Sequence, residues 1–267
     1  MAGMSAPTPS FGARAGQLAL RWSLVIALFV AWELLTRTRT FTPFMLPSPQ
    51  SVFERILRDA NSGDLFINMA LTIYRALAGF VIAAALGVSL GLVMTRNAGL
   101  RWFFDPLISV GFPMPKITFL PVIVLWLGFY DTAKISMVVF DAIFPILTAT
   151  IAGVRSVEKE LIWSARNLGA RERDLLWQIL LPAASPQILT GLQVALPIAL
   201  IVAVVAEMMM GGYGMGGAMI QASRMADSRG VFAGIIEISI VGWIFVKAMA
   251  MLRARLLFWH QESNRSH

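Results

Sequence analysis

Four carboxylates lie within or beside long apolar stretches of the chain: Glu33, Asp141, Glu207 and Glu237. In a membrane, such groups are costly unless they are paired or face a water-filled cavity. A hydrolytic membrane enzyme needs two of them beside a nucleophile or a metal. These four fall in four different stretches, and both histidines lie near the carboxyl end, so the spacing indicates no ligand cluster. We therefore predict neither catalytic residues nor a metal site.

Lys116 lies in an apolar stretch that three prolines interrupt, Pro113, Pro115 and Pro121. Each proline removes a backbone donor and disfavours a continuous helix. The stretch is either a broken helix that lines a cavity or a kinked helix whose lysine reaches the membrane surface. The intramembrane charges likewise either line a translocation pathway or pair between helices. On the pathway interpretation, the candidate residues are Pro115, Lys116, Asp141 and Glu207.

Three further patterns bear on ligand binding. Residues 212–217 satisfy the dinucleotide pattern G-x-G-x-x-G, yet they follow an apolar stretch rather than a strand, so we predict a tight external turn or hinge. Methionines at 208–210 and 215 suit Cu(I), but no nearby His or Cys supports a site, and we assign them to packing. The chain contains no G-x-x-x-x-G-K-[ST] loop, so it cannot hold ATP phosphates by that route.

The composition requires a lipid environment. Hydrophobic residues make up 57% of the 267 residues and charged residues 14%, whereas about 25% of an ordinary soluble domain is charged. No ionisable residue lies between Arg75 and Arg96, a gap close to the roughly 20 residues that cross a hydrocarbon core. The net charge of +7 is scattered among helix ends, which argues against a nucleic-acid partner, and the lack of cysteine excludes disulfides.

Six apolar segments predict an all-α, polytopic membrane protein with one transmembrane domain, residues 18–260. We expect residues 1–17 to form a disordered cytoplasmic N-terminus and residues 261–267 to form a C-terminal tail. With both termini in the cytoplasm, 13 Lys and Arg fall on the cytoplasmic side and eight on the other, as the positive-inside rule favours. The predicted spans are 18–36, 76–95, 106–130, 135–154, 188–208 and 230–250.

Small residues recur at every fourth position of the second predicted span: Gly79, Ala83, Gly87 and Gly91. They form a smooth stripe along one helix face, which lets another helix approach closely. The approaching helix belongs either to the same chain or to a neighbouring subunit.

The longest cytoplasmic segment, residues 155–187, is too polar to cross the membrane. Its leucines and isoleucines recur near helical spacing, so we predict short amphipathic helices at the cytoplasmic face. Ala165 and Gly169 are four positions apart and therefore share one helix face, which such small residues leave nearly flat. A flat face of this kind fits into a cleft on a partner.

The same segment carries a signature of known type. Residues 163–169 read W-S-A-R-N-L-G, and I-L-L-P follows at 179–182. This resembles the cytoplasmic loop of binding-protein-dependent ABC importer permeases, written E-A-A, three residues, G, nine residues, I-x-L-P. Trp163 and Ser164 replace the family's glutamate and first alanine. Because the family's loop docks on an ATP-binding subunit, the resemblance implies a coupling role for Trp163, Ser164, Ala165, Arg166, Asn167, Leu168, Gly169, Ala170, Arg171 and Pro182.

Other segments resemble the nitrate, sulfonate, taurine and bicarbonate branch of this family. They are L-P-S-P at 46–49, R-A-L-A-G-F at 75–80, P-M-P-K at 113–116, L-P with W-L-G-F within 120–129, and A-E before G-M-G within 206–216. The resemblance implies a type I importer in a bacterial inner membrane that carries a small anionic solute. Its implied partners are a second permease copy, two ATP-binding subunits that hold ATP and Mg²⁺, and a periplasmic or extracellular solute-binding protein.

Two other functional classes are compatible with an apolar chain of this length. An ion-coupled secondary transporter commonly contains inverted repeats, but residues 180–260 show no hydropathic echo of the broken third span. A membrane-embedded enzyme is the other class. Stimulation of ATP hydrolysis by a loaded binding protein distinguishes an importer from both.

Overall fold

The structure, a computed structural model, describes residues 11–38 and 40–257, with residues 11–22 described as backbone alone. The described part contains helices and turns and no strand, which confirms the all-α prediction. The helices are α1 (Phe11–Arg37), α2 (Pro49–Ser62), α3 (Asp64–Arg96), α4 (Ala98–Gly111), a 3₁₀ turn (Lys116–Phe119), α5 (Leu120–Leu127), α6 (Asp131–Arg155), α7 (Lys159–Asn167), α8 (Glu172–Asp174), a π turn (Leu175–Leu180), α9 (Leu181–Met210), α10 (Met215–Arg224) and α11 (Ser228–Leu256).

Four helical segments in the described ranges are long and apolar enough to cross a membrane: α3, α6, the continuous segment Glu172–Met210, and α11. They contain the predicted spans 76–95, 135–154, 188–208 and 230–250. A fifth candidate is the pair formed by α4 and the segment Lys116–Leu127, which is bent by 98° at its break. The predicted first span, 18–36, lies within α1.

The small-residue stripe of α3 packs against α6 of the same chain. A Cβ atom at Gly79, Gly87 or Gly91 would lie 2.5, 3.0 or 2.8 Å from the nearest atoms of Val138, Ile146 and Thr150, respectively. In the structure the stripe therefore packs within the chain, as in the first of its two interpretations. The residue numbers of the contacting positions increase in the same order along both helices, so α3 and α6 run in the same direction.

When two membrane-spanning helices run in the same direction, the chain that joins them must cross the membrane an odd number of times. The pair of α4 and α5 supplies this crossing, because it is the only helical segment between α3 and α6 in the described chain. By contrast, α6 and α9 are antiparallel: Gly153 meets Gln187 near one end, and Gly191 meets Ala149 further along. The carboxyl ends of α3 and α6 and the beginning of α9 therefore lie at one end of the bundle.

The core lies between α3, α6 and α9, and small residues supply much of it. Lipid gives no hydrophobic driving force between helices, so close backbone approach and van der Waals contact hold them together. Fully buried alanines provide that approach on all three helices: Ala76, Ala83, Ala133, Ala142, Ala195, Ala199, Ala203 and Ala206.

Several predicted boundaries are wrong. Helix α1 begins at Phe11, so residues 11–17 are helical rather than disordered, in keeping with the good helix formers Ala, Arg and Gln in this stretch. Helix α3 begins at Asp64 instead of residue 76, because Arg75 is buried inside the helix rather than marking its end. Helices α2 and α10 were not predicted. Residues 1–10 and the tail 261–267 lie outside the described residues.

The predicted third span, 106–130, is also corrected. The helix begins at Ala98, because the Oδ1 atom of Asn97 accepts hydrogen bonds from the backbone of Gly99 and Leu100 at 2.9 and 3.1 Å. It continues through Pro106 and ends at Gly111. The chain then breaks between Pro113 and Pro115, which confirms the predicted interruption.

Candidate coupling loop and buried polar clusters

Helix α7 is an exposed element at the end of the bundle where α3 and α6 finish. None of its residues is buried. The Trp163 side chain is 58% exposed, and Leu168, immediately after the helix, is 89% exposed. Large apolar side chains that project this far from a chain are typical of a surface that another protein covers.

Gly169 ends α7 in a specific way. Its φ angle is +85°, a left-handed conformation that favours glycine. Its N–H donates to the carbonyl of Arg166 at 2.9 Å, and the N–H of Ala170 donates to the carbonyl of Ala165 at 3.0 Å. These two bonds are the Schellman pattern, in which two carbonyls of the last turn are satisfied by the residues that follow the helix.

This geometry corrects the predicted shared face of Ala165 and Gly169. The helix ends at Asn167, so Gly169 does not lie on its surface. Ala165 and Ala170, five positions apart, are hydrogen-bonded across the helix end, and Gly169 between them is the residue that allows the chain to reverse. The structure places the signature on an exposed part of the chain, and the φ angle of Gly169, rather than a flat face, accounts for glycine at this position.

Charged residues connect this loop to α3. Arg96, in the last turn of α3, pairs with Glu172, and Arg166 of α7 pairs with the same carboxylate at 2.9 Å. One Asp174 oxygen also accepts a bond from the Arg171 backbone at 3.2 Å, which begins the next helical segment. The carboxylate of Glu172 therefore links α7 to a membrane-spanning helix.

The second half of segment 155–187 differs from the short free helices that we predicted. From Glu172 the chain is continuous with α9, and Leu175 is buried. Pro182 is the second residue of α9 and follows the π turn directly. The N–H of Leu181 bonds to the carbonyl of Leu176 in a π turn, and Leu176, Leu180 and Leu181 pack on a small core cluster of Leu92, Val154, Ala184 and Ile188.

Glu207 forms the centre of a buried polar cluster at the opposite end of the bundle. Its side chain is fully buried and accepts a bond from the Arg75 guanidinium at 2.6 Å. Thr72 and the Gly216 backbone N–H donate to the same carboxylate at 2.8 and 3.1 Å. Arg75 also pairs with Asp131 of α6 at 2.8 Å. Such a cluster satisfies its charges internally, as buried ionic groups require.

The same cluster fixes the glycine-rich turn between α9 and α10. Arg75 donates to the carbonyl of Tyr213 at 2.7 Å, and Lys134 donates to that of Gly211 at 3.1 Å. Side-chain oxygens of α3 accept from the turn: Asn68 from Gly214 at 2.8 Å and Thr72 from Met215 at 2.9 Å. The predicted tight turn after the fifth span is confirmed, and helices rather than strands flank it.

Lys116 lies at the break in the third span and is almost fully buried. Its ammonium group contacts the carbonyls of Phe112 and Met114 at 3.2 and 3.4 Å and Asp141 at 3.1 Å, and it lies 4.7 Å from the centre of the Phe144 ring. These acceptors use the three donors of a lysine. The side chain therefore compensates the carbonyls that the broken helix leaves free.

The candidate pathway residues consequently belong to two separate groups. Lys116 pairs with Asp141, whose side chain is 26% exposed, and Pro115 precedes Lys116 at the break. Glu207 pairs with Arg75 and is enclosed by protein, so it does not line an open cavity. Sequence reasoning missed Arg75 as its partner. The signal was present, because an isolated carboxylate in an apolar helix requires a buried cation.

The remaining intramembrane carboxylates differ in their pairing. Glu33 contacts Arg37 at 2.6 Å. Glu237 lines a polar cavity of about 790 Å³, and its Oε1 atom is buried without a hydrogen-bond partner among the described residues. Arg55, Asp59 and Asp227 line the same cavity, and Arg55 pairs with both carboxylates. In the part of the chain that is described, no group of three or more potential metal ligands occurs.

These features define a class of protein: a multi-pass, all-α membrane protein with an exposed helix at one end of its bundle. The family described as binding-protein-dependent transport system inner membrane component matches residues 83–257. The chain is 30% identical over 251 residues to the taurine transport system permease protein TauC of Escherichia coli (strain K12), covering 92% of this chain and 91% of that protein. The chain belongs to this family of ABC importer permeases, and the resemblance found in its loop is confirmed.

Other relatives agree with this assignment. The putative aliphatic sulfonates transport permease protein SsuC of Bacillus subtilis (strain 168) is 31% identical, with 88% of this chain and 86% of that protein covered. The formylaminopyrimidine transport permease protein ThiX of Halalkalibacterium halodurans is 30% identical, with 89% and 94% covered. Permeases of this family work in the inner membrane with an ATP-binding subunit and a solute-binding protein, so these are partners of the present chain.

Solved structures establish the fold independently. An amino acid ABC transporter crystallised with histidines superposes with a TM-score of 0.62 at 17% identity, covering 75% of this chain and 98% of that chain. An inward-facing conformation of the MetNI methionine ABC transporter gives a TM-score of 0.58 at 20% identity, covering 70% and 91%. The fold is that of a type I ABC importer permease.

Proposed function

We propose that this chain forms one half of a homodimeric importer that carries a small organic or inorganic anion, such as taurine, a sulfonate or nitrate. The observation that carries the proposal is the similarity to permeases named for taurine and aliphatic sulfonates, which extends over most of both chains. A solute-binding protein delivers the anion from outside, and two ATP-binding subunits attach to the cytoplasmic face.

The exposed α7 is the contact with the ATP-binding subunit in this proposal. A projecting helix with a fixed carboxyl end suits docking into a cleft, and Trp163 and Leu168 supply the apolar contact. Movement of that subunit reaches α3 through Glu172 and Arg96, and reaches α9 through the packed leucines of the π turn. The spans then exchange between outward-open and inward-open arrangements.

ATP and Mg²⁺ belong to the partner subunit, and the permease itself is not catalytic. The sequence supports this division of labour because it lacks a phosphate-binding loop of the G-x-x-x-x-G-K-[ST] type. The positive-inside bias supports cytoplasmic termini, with α7 on the same side.

The Lys116–Asp141 pair is retained as a pathway element, whereas Glu207 is not. Asp141 has an exposed edge beside the break of the third span, and its charge is balanced by Lys116. A neutral pair of this kind leaves the pathway without a strong fixed charge. Selection of the solute then depends chiefly on the binding protein.

Reconstitution tests the proposal directly. The permease and its ATP-binding subunit are placed in liposomes, and ATP hydrolysis is measured with empty and loaded solute-binding protein. We expect taurine-, sulfonate- or nitrate-loaded protein to stimulate hydrolysis and uptake together. Uptake driven by a proton gradient without ATP would favour an ion-coupled carrier, and chemical conversion of the solute would favour a membrane enzyme.

A further inference from the structure

Helix α2, Pro49–Ser62, is a distinct element at the end of the bundle opposite α7. The Ser48 side chain accepts a bond from the Ser51 N–H at 3.3 Å and begins the helix, and Gly63, with φ +85°, ends it. The helix contains 14 residues, too few to cross a bilayer, which takes roughly 20. It must therefore lie against the bundle or at the membrane surface.

One side of α2 faces the protein. Val52 is buried, and Arg55 pairs with Asp59 at 2.8 Å and with Asp227, the residue that precedes α11. Helical geometry places these three residues of α2 on one sector of the helix. Because this side of α2 is held against the bundle, the remaining residues of the helix must face away from the bundle.

The outward half of α2 is divided into an apolar and a polar sector. Phe53 and Leu57, four positions apart on one face, are 60% and 47% exposed. Glu54 and Arg58 are also exposed. Glu54 follows Phe53 and Arg58 follows Leu57, so the two charged residues lie about 100° around the helix from the apolar pair. The helix thus presents three sides: one to the bundle, one apolar and one charged.

The neighbours of α2 place it at the level where membrane-spanning helices end. Trp32, near the carboxyl end of α1, donates to the carbonyl of Pro47 at 3.0 Å. Helix α3 begins one residue after α2, and Asp227 caps the amino end of α11. Other exposed apolar side chains occur nearby in sequence, just before α2 and at the start of α3: Phe44, Met45, Phe66 and Ile67.

We propose that α2 is an interfacial helix whose Phe53 and Leu57 insert into the lipid of the bilayer surface opposite α7. A helix with one apolar and one charged side is suited to the boundary between acyl chains and water. In this placement the apolar sector contacts the acyl chains, whereas the exposed Glu54 and Arg58 face water. A second protein covering this half of α2 would have to desolvate both charges, which disfavours that occupant.

Spin labelling tests this inference in the intact chain. The protein contains no cysteine, so the variants Phe53→Cys, Leu57→Cys, Glu54→Cys and Arg58→Cys each carry a single label. Every one of these positions is exposed, and the contacts of Val52, Arg55 and Asp59 remain. The labelled permease is reconstituted in nanodiscs of phosphatidylethanolamine and phosphatidylglycerol. Collision rates with oxygen, which concentrates in lipid, and with a water-soluble nickel chelate are then measured.

We expect the ratio of oxygen to nickel accessibility to be several-fold higher at positions 53 and 57 than at 54 and 58. Equal and high nickel accessibility at all four positions would show that the helix lies in water and would overturn the inference. Low accessibility to both reagents at positions 53 and 57 would show a protein covering the face, and dipolar coupling between labels would identify it as a second copy. Either protein contact would also overturn the inference.

Discussion

At the scale of single residues, Arg75 determines the geometry of the end of the bundle opposite α7. Its guanidinium contacts two carboxylates, from α6 and α9, and one carbonyl of the turn before α10. The positions of α6, α9 and the turn before α10 therefore depend on contacts with one guanidinium group. That group is almost completely buried, so water cannot supply these hydrogen bonds in its place. Guanidinium is suited to this because its donors point in fixed, diverging directions.

Replacing Arg75 by Met keeps much of the apolar stem but leaves the Glu207 carboxylate buried without its cation. We expect Arg75→Met to lower the free energy of unfolding by about 3–5 kcal/mol, as for other broken buried pairs. The measurement is the thermal unfolding midpoint of the permease in detergent micelles. The matched control is Arg96→Met, which breaks the exposed pair with Glu172 and should cost about 0–1 kcal/mol. Equal shifts for the two variants would contradict the role assigned to Arg75.

Gly169 gives a second prediction, which separates two explanations of the loop signature. A Cβ atom at this position would meet no atom within 4 Å, so an alanine here is strained by the φ angle of +85° rather than by a clash. We expect Gly169→Asn to retain coupling, because Asn tolerates the left-handed region. Gly169→Ala should cost about 1–2 kcal/mol in that conformation and weaken coupling.

The measurement for the Gly169 variants is the ratio of solute uptake to ATP hydrolysis, together with capture of the ATP-binding subunit. If glycine were required to keep a docking face flat, the order would reverse, and Ala would be tolerated better than the larger Asn. That reversed order would refute the capping explanation. Gly169→Glu combines an unfavourable φ angle with a charge and should uncouple uptake from hydrolysis.

At the scale of helices, the small-residue stripe of α3 predicts that the stability of the protein falls sharply as the side chain at a stripe position becomes larger. Gly87 faces Ile146, and a Cβ atom there would already lie at 3.0 Å from it. We expect Gly87→Val to separate α3 from α6 and to cost about 1–3 kcal/mol, the usual effect of overpacking. The matched control is Ala85→Val, on the exposed side of the same helix. The readout is the yield of folded permease by size-exclusion chromatography and its unfolding midpoint.

The apolar helices could be predicted from the sequence because lipid requires every backbone group to be bonded within a helix. The break at Pro113 and Pro115 could also be predicted, because proline has no backbone N–H to donate to the helix. Helix α2 has a sequence signal that was overlooked, Ser48 as N-cap before Pro49, but the side that faces the bundle depends on Arg55 meeting Asp227, a residue 172 positions away. For Glu207, the sequence indicates that a buried cation is needed, but the identity of that cation as Arg75, 132 positions away, depends on the tertiary fold. Sequence periodicity identifies faces, whereas only the tertiary fold identifies their partners.

At the scale of the whole molecule, α3 and α6 run in the same direction, so the exposed α7 and the buried Arg75–Glu207 cluster lie at opposite ends of the bundle. The exposed α7, with Glu172 and Arg96, lies where both helices end. The Arg75–Glu207 cluster, the glycine-rich turn and α10 lie where they begin. Helices α3, α6 and α9 pack along their length between these ends. In the proposed importer, these packed helices are the route by which a displacement applied at α7 would reach the opposite membrane face.

This separation predicts which surface each end occupies, and two serines provide a matched pair for the test. Ser164 in α7 and Ser223 in α10 are both exposed, and the chain has no cysteine. Each of Ser164→Cys and Ser223→Cys therefore creates one thiol with a minimal change in shape. With α7 in the cytoplasm, a membrane-impermeant maleimide should label Ser164→Cys in inside-out vesicles alone and Ser223→Cys in right-side-out vesicles alone. Labelling of both from one side would contradict the crossing by the segment Glu172–Met210, because this segment is the only candidate span between α7 and α10 in the described chain. Exchange of the two patterns would preserve the fold but invert the orientation, and α7 would then lie out of reach of a cytoplasmic ATPase.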